Sequence, residues 1–263
     1  MKGSCYICGG DAADTRDHVF PKGLFPRPLP TDMLTAPACA DCQQRLQADE
    51  EYFRTFAAAS SYPDPKAKEL WDGKIVRSFA NSPAFRARLA KGISMREWRS
   101  REGVILGNLV VLEGERTRIG NVLWKIVRGL SYLENGDVMP FDVKFNFSQI
   151  SPITDPLPDE VMDIIHATPL RTVGDAVRYK FAQRPEDLRV TISWLAFYGL
   201  AMFLVWTWPQ DVELGGSTRS APTEARAVPD GSVAAGLQLA RFASYRSART
   251  TSWWSPIRGP GPR

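Results

Sequence analysis

A chain of 263 residues with an apolar fraction of 44% is long enough to bury a core as one large domain or two modest ones, which excludes a fibrous or wholly disordered class. The net charge of +4 sits at the end: from Gly215 onward seven arginines face two acidic residues, so residues 1 to 214 sum to about −1 and overall charge is weak evidence for nucleic-acid binding by the body. All four cysteines fall within the first 42 residues, and Met1-Lys2-Gly3-Ser4 lacks the apolar run of a signal peptide, so a reducing, cytoplasmic setting is expected.

Cys5-Tyr6-Ile7-Cys8 reads as a knuckle, and Cys39-Ala40-Asp41-Cys42 repeats its spacing. Two such pairs can present four thiolates to one tetrahedral zinc ion, Cys5 and Cys8 from one side and Cys39 and Cys42 from the other. The spacing alone fits a zinc ribbon without chemistry. Between the pairs lies Thr15-Arg16-Asp17-His18-Val19-Phe20-Pro21, with a short strand expected over Arg16 to Phe20. Its Asp17 offers a hard oxygen ligand and its His18 a base of near-neutral pKa, the two parts of metal-assisted phosphodiester hydrolysis. Pro21, Pro26, Pro28 and Pro30 then make Lys22 to Asp32 a loop, whose Lys22 and Arg27, with Arg16 and Arg45, are candidates to meet phosphates. Leu46, Glu50, Phe53 and Ala57 mark a helix from Gln43 to about Ser60, which puts Gln43, Glu50 and Arg54 on one side.

These residues resemble an HNH endonuclease, the ββα-metal nuclease type clamped by a four-cysteine zinc site; the resemblance covers roughly the first sixty residues. It implies a general-base role for His18 and a ligand role for Asp17 at a catalytic Mg²⁺ or Mn²⁺. Relatives carry Asn after the last cysteine to orient the histidine, and Gln43 stands there, with a longer side chain and the same amide donor and acceptor. The rest of the metal site would come from Asp49, Glu50 or Glu51, with Asp49 or Glu50 favoured. The expected activity is metal-dependent cleavage of nucleic acid, DNA first. The alternative is a catalytically inactive zinc module that binds nucleic acid or protein. A third reading makes the larger remainder the working part and the zinc segment a staple.

Ser61-Tyr62-Pro63-Asp64-Pro65 breaks the helix and marks a boundary, so an α+β architecture is expected with a zinc domain at 1–62, an accessory α+β domain at 63–214 and a disordered tail at 215–263. Helices are expected over Lys66 to Trp71, ending at Gly73, and from Pro83 to Lys91. Arg77 to Arg101 is the most basic window of the body, read as a solvated helix face or a phosphate contact. Gly103 to Glu113 reads as a strand or hairpin. Ile119, Val122, Leu123, Ile126, Val127, Leu130 and Leu133 form the clearest helical stripe, in which Gly120 and Gly129 suggest close packing. A strand over Asp142 to Ser148 and a helix over Asp159 to His166 follow, with His166 a surface or capping residue. Val190 to Trp208 has no charged residue; Gly199 and the flanking β-formers favour a buried hairpin turning at Tyr198-Gly199 over a membrane span.

Overall fold

The computed structural model describes residues 3–11, 13–99, 103–150 and 157–212. The expectation of a disordered tail falls outside them. The N-terminal segment is ββα: strand β1 (Thr15–His18) pairs antiparallel with β2 (Thr35–Ala38), Asp17 opposite Ala36 and His18 opposite Thr35, and helix α1 (Ala40–Ser60) follows at once. The knuckle joins this pair where the Tyr6 amide donates to the Pro37 carbonyl.

Short helices α2 (Pro65–Leu70) and α4 (Pro83–Lys91) start for reasons written in the sequence. Asp64 accepts from the Lys66 and Ala67 amides and Ser82 from the Phe85 amide, each followed by a proline in the first turn. The chain does not stop helically at Gly73 as expected; a π turn over Trp71–Ile75 carries it into α3 (Val76–Asn81). The far part of the basic window is also not helical. It forms strand β3 (Ile93–Arg99), which pairs with β4 (Ile105–Leu112) in a hairpin of its own.

Helix α5 (Arg116–Asn135) spans the apolar stripe and ends at Gly136, whose φ of +78° is a left-handed cap. Beyond it come β5 (Val143–Ile150), α6 (Asp159–Ala167), β6 (Arg171–Val173), β7 (Val177–Arg184), β8 (Asp187–Phe197) and β9 (Ala201–Pro209). The five strands make an antiparallel sheet in the order β5-β9-β8-β7-β6. The uncharged run is its central hairpin, turning at Tyr198 and Gly199, both at positive φ.

That run lacks charge because both faces of the sheet are covered. Leu195, Phe197, Phe203 and Val205 join a cluster with Tyr6, Val19, Phe20, Phe53, Phe56 and the α5 stripe. Ile192, Leu204, Trp206 and Trp208 pack against Val161, Ile164 and Ile165 of α6. The larger cluster is continuous from the knuckle to the sheet. Two polar links reinforce it: the Ser61 hydroxyl donates to the Phe197 carbonyl at 3.1 Å and accepts from the Ala201 amide at 3.0 Å, and the Tyr198 hydroxyl donates to the Leu24 carbonyl. Among the described residues no helix is long and apolar enough to cross a membrane.

Helix α5 lies close against the zinc segment. A Cβ on Gly129 would stand 2.7 Å from both methyls of Val19 and 3.1 Å from the Tyr6 ring. Helix propensity alone makes Gly129→Ala stabilising by about 1 kcal/mol. Overpacking against a β-branched residue outweighs it, so a net loss of about 1–3 kcal/mol is expected, read as a lower urea midpoint.

Candidate metal centre and the Asp-His strand

Cys5 and Cys8 come from the knuckle, where the Cys5 amide donates to Gly10 and the Gly9 amide to Cys5. Cys39 is the residue at which α1 begins, and Cys42 lies in its first turn. The four sulfurs lie within 4.8 Å of one another, with Cys8 Sγ and Cys39 Sγ 3.8 Å apart. A tetrahedral ion with Zn–S bonds of about 2.3 Å sets its ligand sulfurs about 3.8 Å apart, whereas a disulfide needs about 2.05 Å. The donor set therefore fits zinc.

The surroundings fit the charge of such a site. Arg45 donates to Cys42 Sγ at 3.1 Å. Arg128 is fully buried, its Nε donates to the Tyr6 carbonyl at 2.9 Å, and its two terminal nitrogens have no hydrogen-bond partner among the described residues. Burial lowers its pKa to about 10, against which the Cys5 and Cys8 charges work. Burial also pushes the Cys42 thiol up to about 12, so an ion is needed to hold it as thiolate at neutral pH. Four thiolates around one Zn²⁺ carry a charge of −2, which two arginines offset.

The residues expected to hold a catalytic ion are arranged differently. Successive strand positions leave opposite faces of β1, so Asp17 and His18 diverge although adjacent in sequence. Asp17 turns toward α5: its Oδ2 accepts from the Tyr6 hydroxyl at 2.7 Å and lies 2.7 Å from Lys125 Nζ. The same ammonium, 1% exposed, is paired with Glu50. Asp49 accepts from Arg118 at 2.9 Å and from Asn121 at 2.7 Å, while Glu51 pairs with Arg54 and Ser78. Among the described residues only the cysteine quartet gathers three or more potential metal ligands. A divalent ion does not fit between Asp17 and Glu50 while the Lys125 ammonium stands there.

His18 is half-buried, and its Nδ1 is buried with no hydrogen-bond partner among the described residues. Burial, reinforced by the charge of Lys22, lowers its pKa from the ordinary value, so the ring is neutral at pH 7 and able to accept a proton. Gln43 does not hydrogen-bond to it. Its amide donates to the Thr15 hydroxyl, which donates to Ala38 at 2.7 Å. Thr15 is three residues from His18, roughly 10 Å along the strand. His166 lies exposed in the last turn of α6.

Sequence reasoning missed Lys125 and Arg128. Both lie in α5 outside its apolar stripe, where helical periodicity alone puts a solvated face; their burial, Lys125 at 1% and Arg128 at 0% exposed, follows from the cysteine-bearing segment packing on that face.

Cys39→Ser is expected to lose the ion and unfold the ββα segment, seen as loss of one equivalent of zinc by elemental analysis together with a lower thermal midpoint. In a Mn²⁺ titration followed by electron paramagnetic resonance, the wild type should show no tight site at Asp17 and Glu50. Lys125→Ala should gain one, which Asp17→Asn in the same background removes. No family model matches this chain, and neither the curated proteins nor the solved structures contain a match.

Proposed function

We propose that the chain is an HNH-type endonuclease that hydrolyses phosphodiester bonds in nucleic acid, with DNA the expected substrate. The observation that carries this reading is His18, half-buried and neutral at pH 7, on the strand of a ββα unit whose four cysteines fit zinc. His18 would take a proton from a water molecule as its oxygen bonds to phosphorus and the ester phosphorus–oxygen bond breaks, the leaving sugar oxygen taking a proton from solvent; the base contributes roughly 10²- to 10⁴-fold in rate. Lys22, whose charge is felt at His18, would hold a non-bridging oxygen. Zinc would add structural clamping alone. No step is assigned to Mg²⁺ or Mn²⁺, because the Lys125 ammonium stands between the carboxylates that would bind it.

That same ion pair favours a second reading, a zinc module that binds nucleic acid without cutting it. Plasmid nicking by wild type and His18→Ala, with and without added Mg²⁺ or Mn²⁺, separates the two. Nicking by the wild type that falls at least 100-fold in His18→Ala, at equal zinc content, is the result expected. Equal cutting by both proteins would remove His18 as the base. Absence of cutting by either, with an oligonucleotide still bound, would leave the binding module.

A further inference from the structure

Beside the His18 end of β1 lies a cleft that neither the zinc site nor the Asp17-Lys125-Glu50 cluster uses. Its walls are the proline loop after β1 and the helical segment across the π turn. It encloses about 460 Å³, within the range of small-molecule sites. Lys22, Arg27, Lys74 and Arg77 line it, and Glu69 is its one acidic lining residue. Glu69 is itself 3.9 Å from Lys66. Among the described residues, none of the four cations has a carboxylate within ion-pair distance.

A fifth cation supports the cleft from behind. Arg54 of α1 is 7% exposed, and its Nε is buried without a hydrogen-bond partner among the described residues, although its terminal nitrogen reaches Glu51 at 3.2 Å. Arg54 and Lys74 both crowd Gly23: a Cβ there would stand 3.3 Å from Arg54 Cδ, 3.5 Å from its terminal nitrogen and 3.8 Å from Lys74 Nζ. Packing lowers the pKa of Lys74, and Arg54, Arg27 and Lys22 lower it further in that order, so the like charges act on one another. Five cations set against Glu51 and Glu69 cost free energy that a bound anion would return. Phe25, Pro26, Leu29 and Leu70 supply an apolar wall beside the charges, which suits an anion attached to an organic group.

We infer that this cleft is a binding site for a phosphate group, held by Lys22, Arg27, Lys74 and Arg77, with the apolar wall against the sugar or base that carries it. Assigning that phosphate to the backbone of a nucleic-acid strand rests on the function proposed above. The geometry then places a backbone phosphate next to the strand end that carries His18, so the cleft would hold the strand in register with the base.

The test compares full-length wild type with Arg27→Gln/Lys74→Gln and with Arg86→Gln/Lys91→Gln, which removes the same charge from α4, outside the cleft. Zinc content and thermal midpoint serve as checks of folding. Fluorescence anisotropy with a labelled oligonucleotide, repeated over a range of salt concentrations, should show at least 10-fold weaker binding for the cleft variant. Its salt slope should be shallower by up to about 1, the share of the one phosphate whose contacts are weakened. The α4 variant should stay within about 2-fold of wild type. Equal effects of the two pairs, or none from the cleft pair, would overturn the site. If no oligonucleotide binds, pyrophosphate serves as the probe. A rise in thermal midpoint with pyrophosphate for the wild type and not the cleft variant would uphold the phosphate site while removing the nucleic-acid reading. A rise in both, or in neither, would overturn the site itself.

Discussion

The ammonium of Lys125 is the point at which three elements of the protein meet. It extends from α5 to Asp17 on β1 and Glu50 on α1, at 1% exposure. An unpaired charge in such a place is very costly, and breaking a buried pair by removing one partner typically costs about 3–5 kcal/mol. The three groups therefore have to be assembled together or not at all. Burial raises the pKa of Glu50 while Lys125 works to lower it, and Tyr6 caps Asp17 from the remaining side. The arrangement fixes the distance between the zinc segment and α5, and Gly129, one turn further along the helix, supplies the room for Val19 that this distance demands.

The cysteine quartet and α5 are coupled by charge as well as by packing. Arg128 lies one turn from Lys125, stacks 4.1 Å from the Phe141 ring and 5.3 Å from that of Trp124, and supplies positive potential to Cys5 and Cys8. Zinc bound to four thiolates would be an anion at a partly buried site, where Cys5 and Cys42 are buried and Cys8 is exposed, and Arg128 with Arg45 offsets its charge. A structural zinc site can contribute about 10–16 kcal/mol of apparent folding free energy in isolated peptides. Here that stabilisation would act on a segment whose apolar side is already joined to the main core through Tyr6, Val19 and Phe20.

Much of this architecture was legible in local patterns. Paired cysteines at matched spacing, proline after a capping Asp64 or Ser82, and the apolar stripe of α5 each act over a few residues, so their consequences can be read without knowing the fold. The central hairpin was legible too, because β-formers on both sides of Tyr198-Gly199 and halves of strand length favour a buried hairpin over a membrane span. Strand β3 was obscured by its arginines, which belong equally to a helix face. Strands β6 and β7 were passed over although Val177, Tyr179 and Phe181 alternate with more exposed residues. The candidate site was legible as a set of residues and not as a geometry. Asp17 and His18 are neighbours in sequence yet point apart, and the partner of Asp17 lies 108 residues further on, at a position whose burial only the docking of α5 determines.

The hydrogen bonds from Ser61 and Tyr198 span 136 and 174 positions of sequence and tie the end of α1 and the proline loop to the tip of the β8-β9 hairpin. A ribosome adding roughly 5–20 residues per second releases the cysteines and the Asp-His strand well before that hairpin exists. For an interval of seconds the first sixty residues would have zinc as a clamp and no sheet to cover Phe20, Phe53 and Phe56. Contacts so distant in sequence also close slowly once the chain is complete. The metal would then matter most during synthesis, keeping the ββα segment in register until the last strands arrive to seal its apolar face.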